Sequence, residues 1–117
     1  MARPVRVLLR VDVAPYDRRI RDEAEGGSKE SQTLSRALDR TFAAVQRDFQ
    51  HGEVVRKAQI PRLLAARYGL SNLYVEDLPG FHRLLYTVEG NDQEVVVLIL
   101  AILDHREYDR LFGRAHS

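Results

Sequence analysis

Apolar residues alternate with polar ones at the start of the chain, where Val5, Val7, Leu9, Val11 and Val13 are interleaved with Arg6, Leu8, Arg10 and Asp12. This period of two predicts a first β-strand with one apolar face and one mostly charged face. Pro15 stops the strand and suits the first turn of a short, strongly charged helix over residues 16–25, which ends at Gly26 and Gly27. The period then changes. Leu34, Leu38, Phe42, Val45 and Phe49 recur at intervals of three or four and predict a long amphipathic helix ending at Gly52. Ser28 is its N-cap, and Glu30 complements the helix dipole in its first turn. A stripe this continuous belongs against a sheet.

Residues 53–58 read equally as strand or loop. Pro61 opens and Gly69 closes a short helix, and NLYVED over 72–77 is the next strand. Pro79-Gly80 turns the chain into a strand over 82–88, and residues 89–92 turn it into the β-branched apolar run 95–103, which reads as the most buried strand. Asp104 caps a last helix over 105–112. Three strands joined by tight turns form an antiparallel meander, with the first strand added at one side and the long helix across one face. The predicted class is α+β. A single domain, residues 1–117, carries an antiparallel sheet of about four strands, packed by two N-terminal helices and followed by a short C-terminal helix.

The 117 residues suffice for one core of this kind. A hydrophobic content of 44% with 30% charged residues is ordinary for a globular protein, and a net charge of +1 supplies no bulk attraction for nucleic acid. The absence of cysteine excludes disulfides, zinc thiolate sites and thiol catalysis. Histidines 51, 82, 105 and 116 show no metal-ligand spacing, so neither a metal nor another cofactor is expected. The run 95–103 is about half of the ~20 residues a membrane helix needs, and no leader pattern opens the chain. The expected location is the cytoplasm, with no membrane association.

Candidate chemistry concentrates near the C-terminal end. In an antiparallel hairpin the start of one strand lies beside the end of the next, so Arg83 should approach His105 and Arg106. Between residues 54 and 75 stand Arg56, Lys57, Arg62 and Arg67 with no acid among them. That segment is either a solvated face or a surface for phosphates or an acidic partner. Each of the other groups has a plainer role available. Arg83 suits an ion pair with Glu76 or Glu94, Asp104 and His105 suit a helix cap, and Tyr108 and Phe112, four apart, suit pinning the last helix to the sheet.

The string GFHRLLYTV at 80–88, the later VVVLILAILDHREYDRLF at 95–112 and the order of elements together resemble the RelE/ParE superfamily of type II toxin–antitoxin toxins. In that family the third strand carries an R-L-x-Y signature, the fourth is Val-rich, and a basic cluster with a C-terminal aromatic follows. The likeness is clearest over residues 73–112. It implies a toxin held inactive by a small antitoxin protein. The RelE-like branch cleaves messenger RNA in the ribosomal A site without a metal, whereas the ParE-like branch poisons DNA gyrase.

On the RelE pattern, Arg83 matches the strand arginine at the scissile phosphate and Arg106 the basic residue after the last strand. Such cleavage needs a base for the 2′-hydroxyl, cations around the phosphate and a proton donor for the leaving oxygen. The resemblance makes His105 a candidate acid or base and Tyr108 a stacking group or hydroxyl donor, with Arg56, Lys57, Arg62 and Arg67 following the RNA backbone. The chain departs from the pattern where Tyr74 and Glu76 replace strand lysines and Phe112 replaces the C-terminal tyrosine. Glu76, or else Glu53, then becomes the candidate base. The expected function is a ribosome-associated endoribonuclease toxin, and the alternative is a gyrase inhibitor or an inactive, partner-binding member of the same fold.

Overall fold

In a computed structural model that describes residues 3–113, one mixed sheet carries helices on both faces. The elements in chain order are β1 (Val5–Leu9), α1 (Ala14–Glu25), α2 (Lys29–Arg47), β2 (Glu53–Val54), a 3₁₀ turn (Lys57–Gln59), α3 (Arg62–Tyr68), β3 (Tyr74–Leu78), β4 (His82–Gly90), β5 (Val95–Asp104) and α4 (His105–Phe112). The α+β class and the β3-β4-β5 meander agree with the sequence pattern. Two features do not. The sheet has five strands rather than about four, in the order β1-β5-β4-β3-β2, and it is mixed rather than antiparallel because β1 runs parallel to β5. The long excursion through α1, α2 and the meander returns the chain beside β1 in the same direction, which no tight turn could do. The fifth strand is β2, whose Glu53 and Val54 pair with Val75 and Tyr74.

The first strand is shorter than its alternation. The Arg10 carbonyl accepts the N–H groups of both Val13 (2.9 Å) and Ala14 (3.0 Å), turning the chain directly into α1. Val11 is therefore 81% exposed while Val13 is buried in the core. Helix α2 likewise stops at Arg47, short of Gly52, although Phe49 still packs on the core beyond it. Ser28 caps α2 as expected, its hydroxyl accepting the Ser31 N–H at 3.2 Å. The α1–α2 hairpin is clamped by Arg21, whose Nη1 donates to the Ser35 carbonyl (2.9 Å) and to Asp39 Oδ1 (2.8 Å).

Face one of the sheet is covered by this hairpin, with Ile20, Leu34, Leu38 and Val45 packed against Leu84, Tyr86, Val97 and Ile99. Face two is covered by α3 and α4, with Leu64 and Tyr108 over Leu73, Leu85 and Leu100. A β-bulge joins the two patterns. Leu85 lies opposite Ala101 and Tyr86 opposite Ile99, so Leu100 is the extra residue, and both Leu100 and Ala101 face α3 and α4. Covering on both faces is why β5 reads as an unbroken apolar run rather than an alternating one.

Helix α4 is set by a capping box. Asp104 Oδ1 accepts the Glu107 N–H (2.8 Å), and Glu107 Oε1 accepts the Asp104 N–H (3.0 Å). That first bond is the main reason the Asp104 carboxyl is held below its ordinary range. Among the described residues no helix is long and apolar enough to cross a membrane.

Candidate functional site

The start of β4, the end of β5 and α4 meet at one end of the sheet, where His82 pairs with Asp104 and Arg83 with Leu103. Strand alternation puts Arg83 on the same face as Leu85, under α4. Its guanidinium donates to Asp77 Oδ1 at 2.7 Å and lies 5.2 Å from the centre of the Tyr108 ring, a cation–π distance. Tyr108 in turn stacks on Phe112 at 4.4 Å. Both plainer roles are thus real contacts, since Arg83 makes an ion pair and the two rings pin α4. The acid on Arg83 is Asp77, however, and Glu94 is occupied by Arg6 at 2.7 Å.

The Tyr108 phenol is pushed above its ordinary value by burial, with the carboxylates of Glu53 and Asp77 adding to the effect and the Arg83 guanidinium opposing it. The hydroxyl is a proton donor throughout the neutral range. His105, Tyr108 and Phe112 follow at intervals of three and four and so share one stripe of α4. At the N-terminal end of that stripe the His105 ring meets the edge of Phe81 at 5.9 Å, and Arg106 beside it is exposed.

Glu76 does not join this group. It alternates to face one with Tyr74 and Leu78, is buried there, and its Oε2 lies 2.7 Å from His51 Nδ1. A base at Glu76 would stand across the sheet from Arg83. Tyr74 is on the same far side, stacked on Tyr86 at 5.0 Å. The carboxylates on the Arg83 side are Asp77 and Glu53. The loop at residues 79–81 sets this register: with Leu78 opposite His82, Asp77 must lie opposite Arg83. Counting back from that turn is the signal that finds Asp77 in the sequence. Nothing in the sequence pairs His51 with Glu76.

The basic segment is also on face two. Arg56, Lys57, Arg62 and Arg67 are all exposed along the 3₁₀ turn and α3, whose Ile60 and Leu64 share a core with Tyr108. Arg67 lies 6.0 Å from the Tyr68 ring, and Arg10, from the turn after β1, lies 4.2 Å from it. Val54 and Leu63 are exposed apolar residues within the same stretch. Among the described residues no group of three or more His, Asp or Glu is placed to hold a metal ion, and His116 lies outside the described residues.

No protein-family model matches the chain, and neither the curated proteins nor the solved structures yield a match. What the site can do therefore follows from its own geometry and from the motif at 80–112.

Proposed function

We propose that the chain is the toxin of a type II toxin–antitoxin pair and a metal-independent endoribonuclease acting on messenger RNA at the ribosome. The observation that carries this reading is Arg83 held under α4 against Tyr108, one helical turn from His105. Arg83 and Arg106 would hold the scissile phosphate through their planar donor forks. His105 would move a proton as the 2′-hydroxyl oxygen bonds to phosphorus and the bond to the 5′-oxygen breaks, leaving a cyclic phosphate and a free 5′-hydroxyl. Asp77 is the carboxylate within reach of that phosphate site. The exposed cations at 56, 57, 62 and 67 would follow the RNA backbone on the same side of the sheet.

The second reading is a binding module of the same fold, either a gyrase inhibitor or an inactive member. It is favoured by two observations: Arg83 is already paired with Asp77, and Glu76 lies across the sheet. On either reading the partner antitoxin would be a small acidic protein, laid over the basic segment where Val54 and Leu63 stand exposed. The site of action is the cytoplasm on both.

The test is a cell-free translation reaction with a defined messenger, purified protein or its Arg83→Ala variant, and mapping of RNA ends. Cuts that need ribosomes, fall in register with codons and vanish with Arg83→Ala are expected. An intact messenger in the presence of the parent protein would end the nuclease reading and direct attention to gyrase.

A further inference from the structure

We infer that Phe81 is a stacking platform for one base of single-stranded RNA at this site, an inference that rests on the nuclease reading above. Phe81 sits between β3 and β4 in the turn that also holds Gly80, and its φ of 59° is in the left-handed region. It is the one non-glycine residue with positive φ among the described residues. A bulky side chain is disfavoured in that conformation, and a glycine there would be strain-free. Burial does not compensate, because Phe81 is 76% exposed. Neither the backbone nor the core accounts for a phenylalanine at this position. The left-handed conformation closes the three-residue turn between Leu78 and His82, but an exposed phenylalanine in it is strain that the turn does not require, and such strain is a pointer to a ligand.

The surroundings fit a nucleotide. The edge contact with His105 fixes the Phe81 ring, and most of its surface faces solvent. Arg83 follows two residues on, and Arg106 adjoins His105. A groove of about 730 Å³ opens beside the ring, between this turn and the α1–α2 hairpin; Arg19, Lys29 and His82 line it with Phe81, together with Glu30 and with Glu23, which lies 3.7 Å from Arg19. Single-stranded nucleic acid is held by aromatic faces for the bases and cations for the backbone, an arrangement tolerant of sequence. A protein-binding centre is instead poor in charged groups. The other exposed large apolar residues, Leu8, Val11, Val54 and Leu63, lie on other elements, so Phe81 belongs to no apolar patch.

The experiment pairs Phe81→Gly with Phe81→Tyr and uses the programmed-ribosome cleavage assay and thermal unfolding of the same proteins. Phe81→Gly is expected to lower kcat/KM about five- to hundredfold, the range for loss of one stacked base, and to flatten base preference at one position near the cut. Its melting temperature is expected to be equal to or above the parent's. Phe81→Tyr should restore cleavage. An abasic nucleotide at the stacked position should reproduce the loss in the parent and cost nothing further in Phe81→Gly.

A lowered melting temperature in Phe81→Gly would make the ring structural and overturn the inference. So would an unchanged cleavage profile in Phe81→Gly while Arg83→Ala is inactive, which leaves the nuclease reading standing. A parent protein that makes no cuts would overturn both together.

Discussion

Face one of the sheet is covered by helices of 12 and 19 residues, face two by helices of 7 and 8. The long hairpin lays a continuous apolar stripe on the strands, and Leu38 and Val45 are completely buried beneath it. The two short helices are below the length at which an isolated helix persists in water, so they depend on the capping box of α4, the left-handed Gly69 at the end of α3 and a thinner apolar contact. They leave cations such as Arg62, Arg67 and Arg106 at the surface. The same strands therefore carry a face that holds the fold and a face that can yield locally to a ligand.

The largest expected effect tests the holding face. Leu38→Ala should lower stability by about 2–5 kcal/mol, since a fully buried leucine leaves a cavity that a well-packed core closes only in part. Denaturant unfolding measures this. On the nuclease reading, cleavage at a temperature where the variant is folded should match the parent, and a loss there as deep as that proposed for Arg83→Ala would dissolve the division between the faces.

A smaller effect is expected at Tyr86, the polar group sealed within face one. Its hydroxyl donates to the Phe49 carbonyl (3.0 Å) and accepts the Gly52 N–H (2.9 Å), closing the loop after α2 onto the sheet. A Cβ at Gly52 would come within 2.9 Å of that hydroxyl and 3.0 Å of the Val75 carbonyl, so glycine is required there. Tyr86→Phe leaves both backbone groups without this partner and should cost about 1–3 kcal/mol.

The same residue predicts a pH dependence. Burial pushes the phenol from 10.0 up to about 12. Between those values the unfolded chain has released this proton and the folded chain has not, so its stabilising contribution is complete below pH 10 and declines as pH rises toward 12. Alkaline unfolding curves of the parent should show a decline that Tyr86→Phe lacks. Identical slopes would remove Tyr86 from the account.

The smallest stability change belongs to the other face. Asp77→Asn removes the anion from Arg83 in a solvent-exposed pair, so stability should move by less than about 1 kcal/mol. On the nuclease reading, RNA affinity should rise about fivefold, as expected when one unit charge within a few ångströms of a phosphate is lost. An affinity equal to or below the parent's would show that Asp77 does not compete with phosphate, and would favour a direct role for its carboxylate.

Much of this was legible along the chain where the signals were local. The Asp104 cap, the Ser28 cap, the stripe of α2 and the turn at Pro79-Gly80 all lie within a few residues of what they specify. Errors arose where a local pattern outlasted its element. Alternation runs on to Val13, yet the bonds from Val13 and Ala14 to the Arg10 carbonyl end the strand at Leu9. Apolar spacing runs on to Phe49, yet α2 ends at Arg47 and Phe49 reaches the core from the following loop. At this end of the sheet, Arg83, His105, Arg106 and Tyr108 were singled out through hairpin pairing and the motif at 80–112, whereas Asp77 and Phe81 were passed over.

The sequence by itself determined the periods, caps and turns, and with them the meander, the existence of α1 and α2 and the terminal helix, because each is specified by neighbours on the chain. Tertiary structure decided that β1 lies parallel to β5, that Glu53 and Val54 form a strand at all, and that Asp77 rather than Glu76 meets Arg83. Side chains on a strand change face with every residue, so one position of register, set by a three-residue turn and by pairing across the sheet, moves a carboxylate from one side of the molecule to the other.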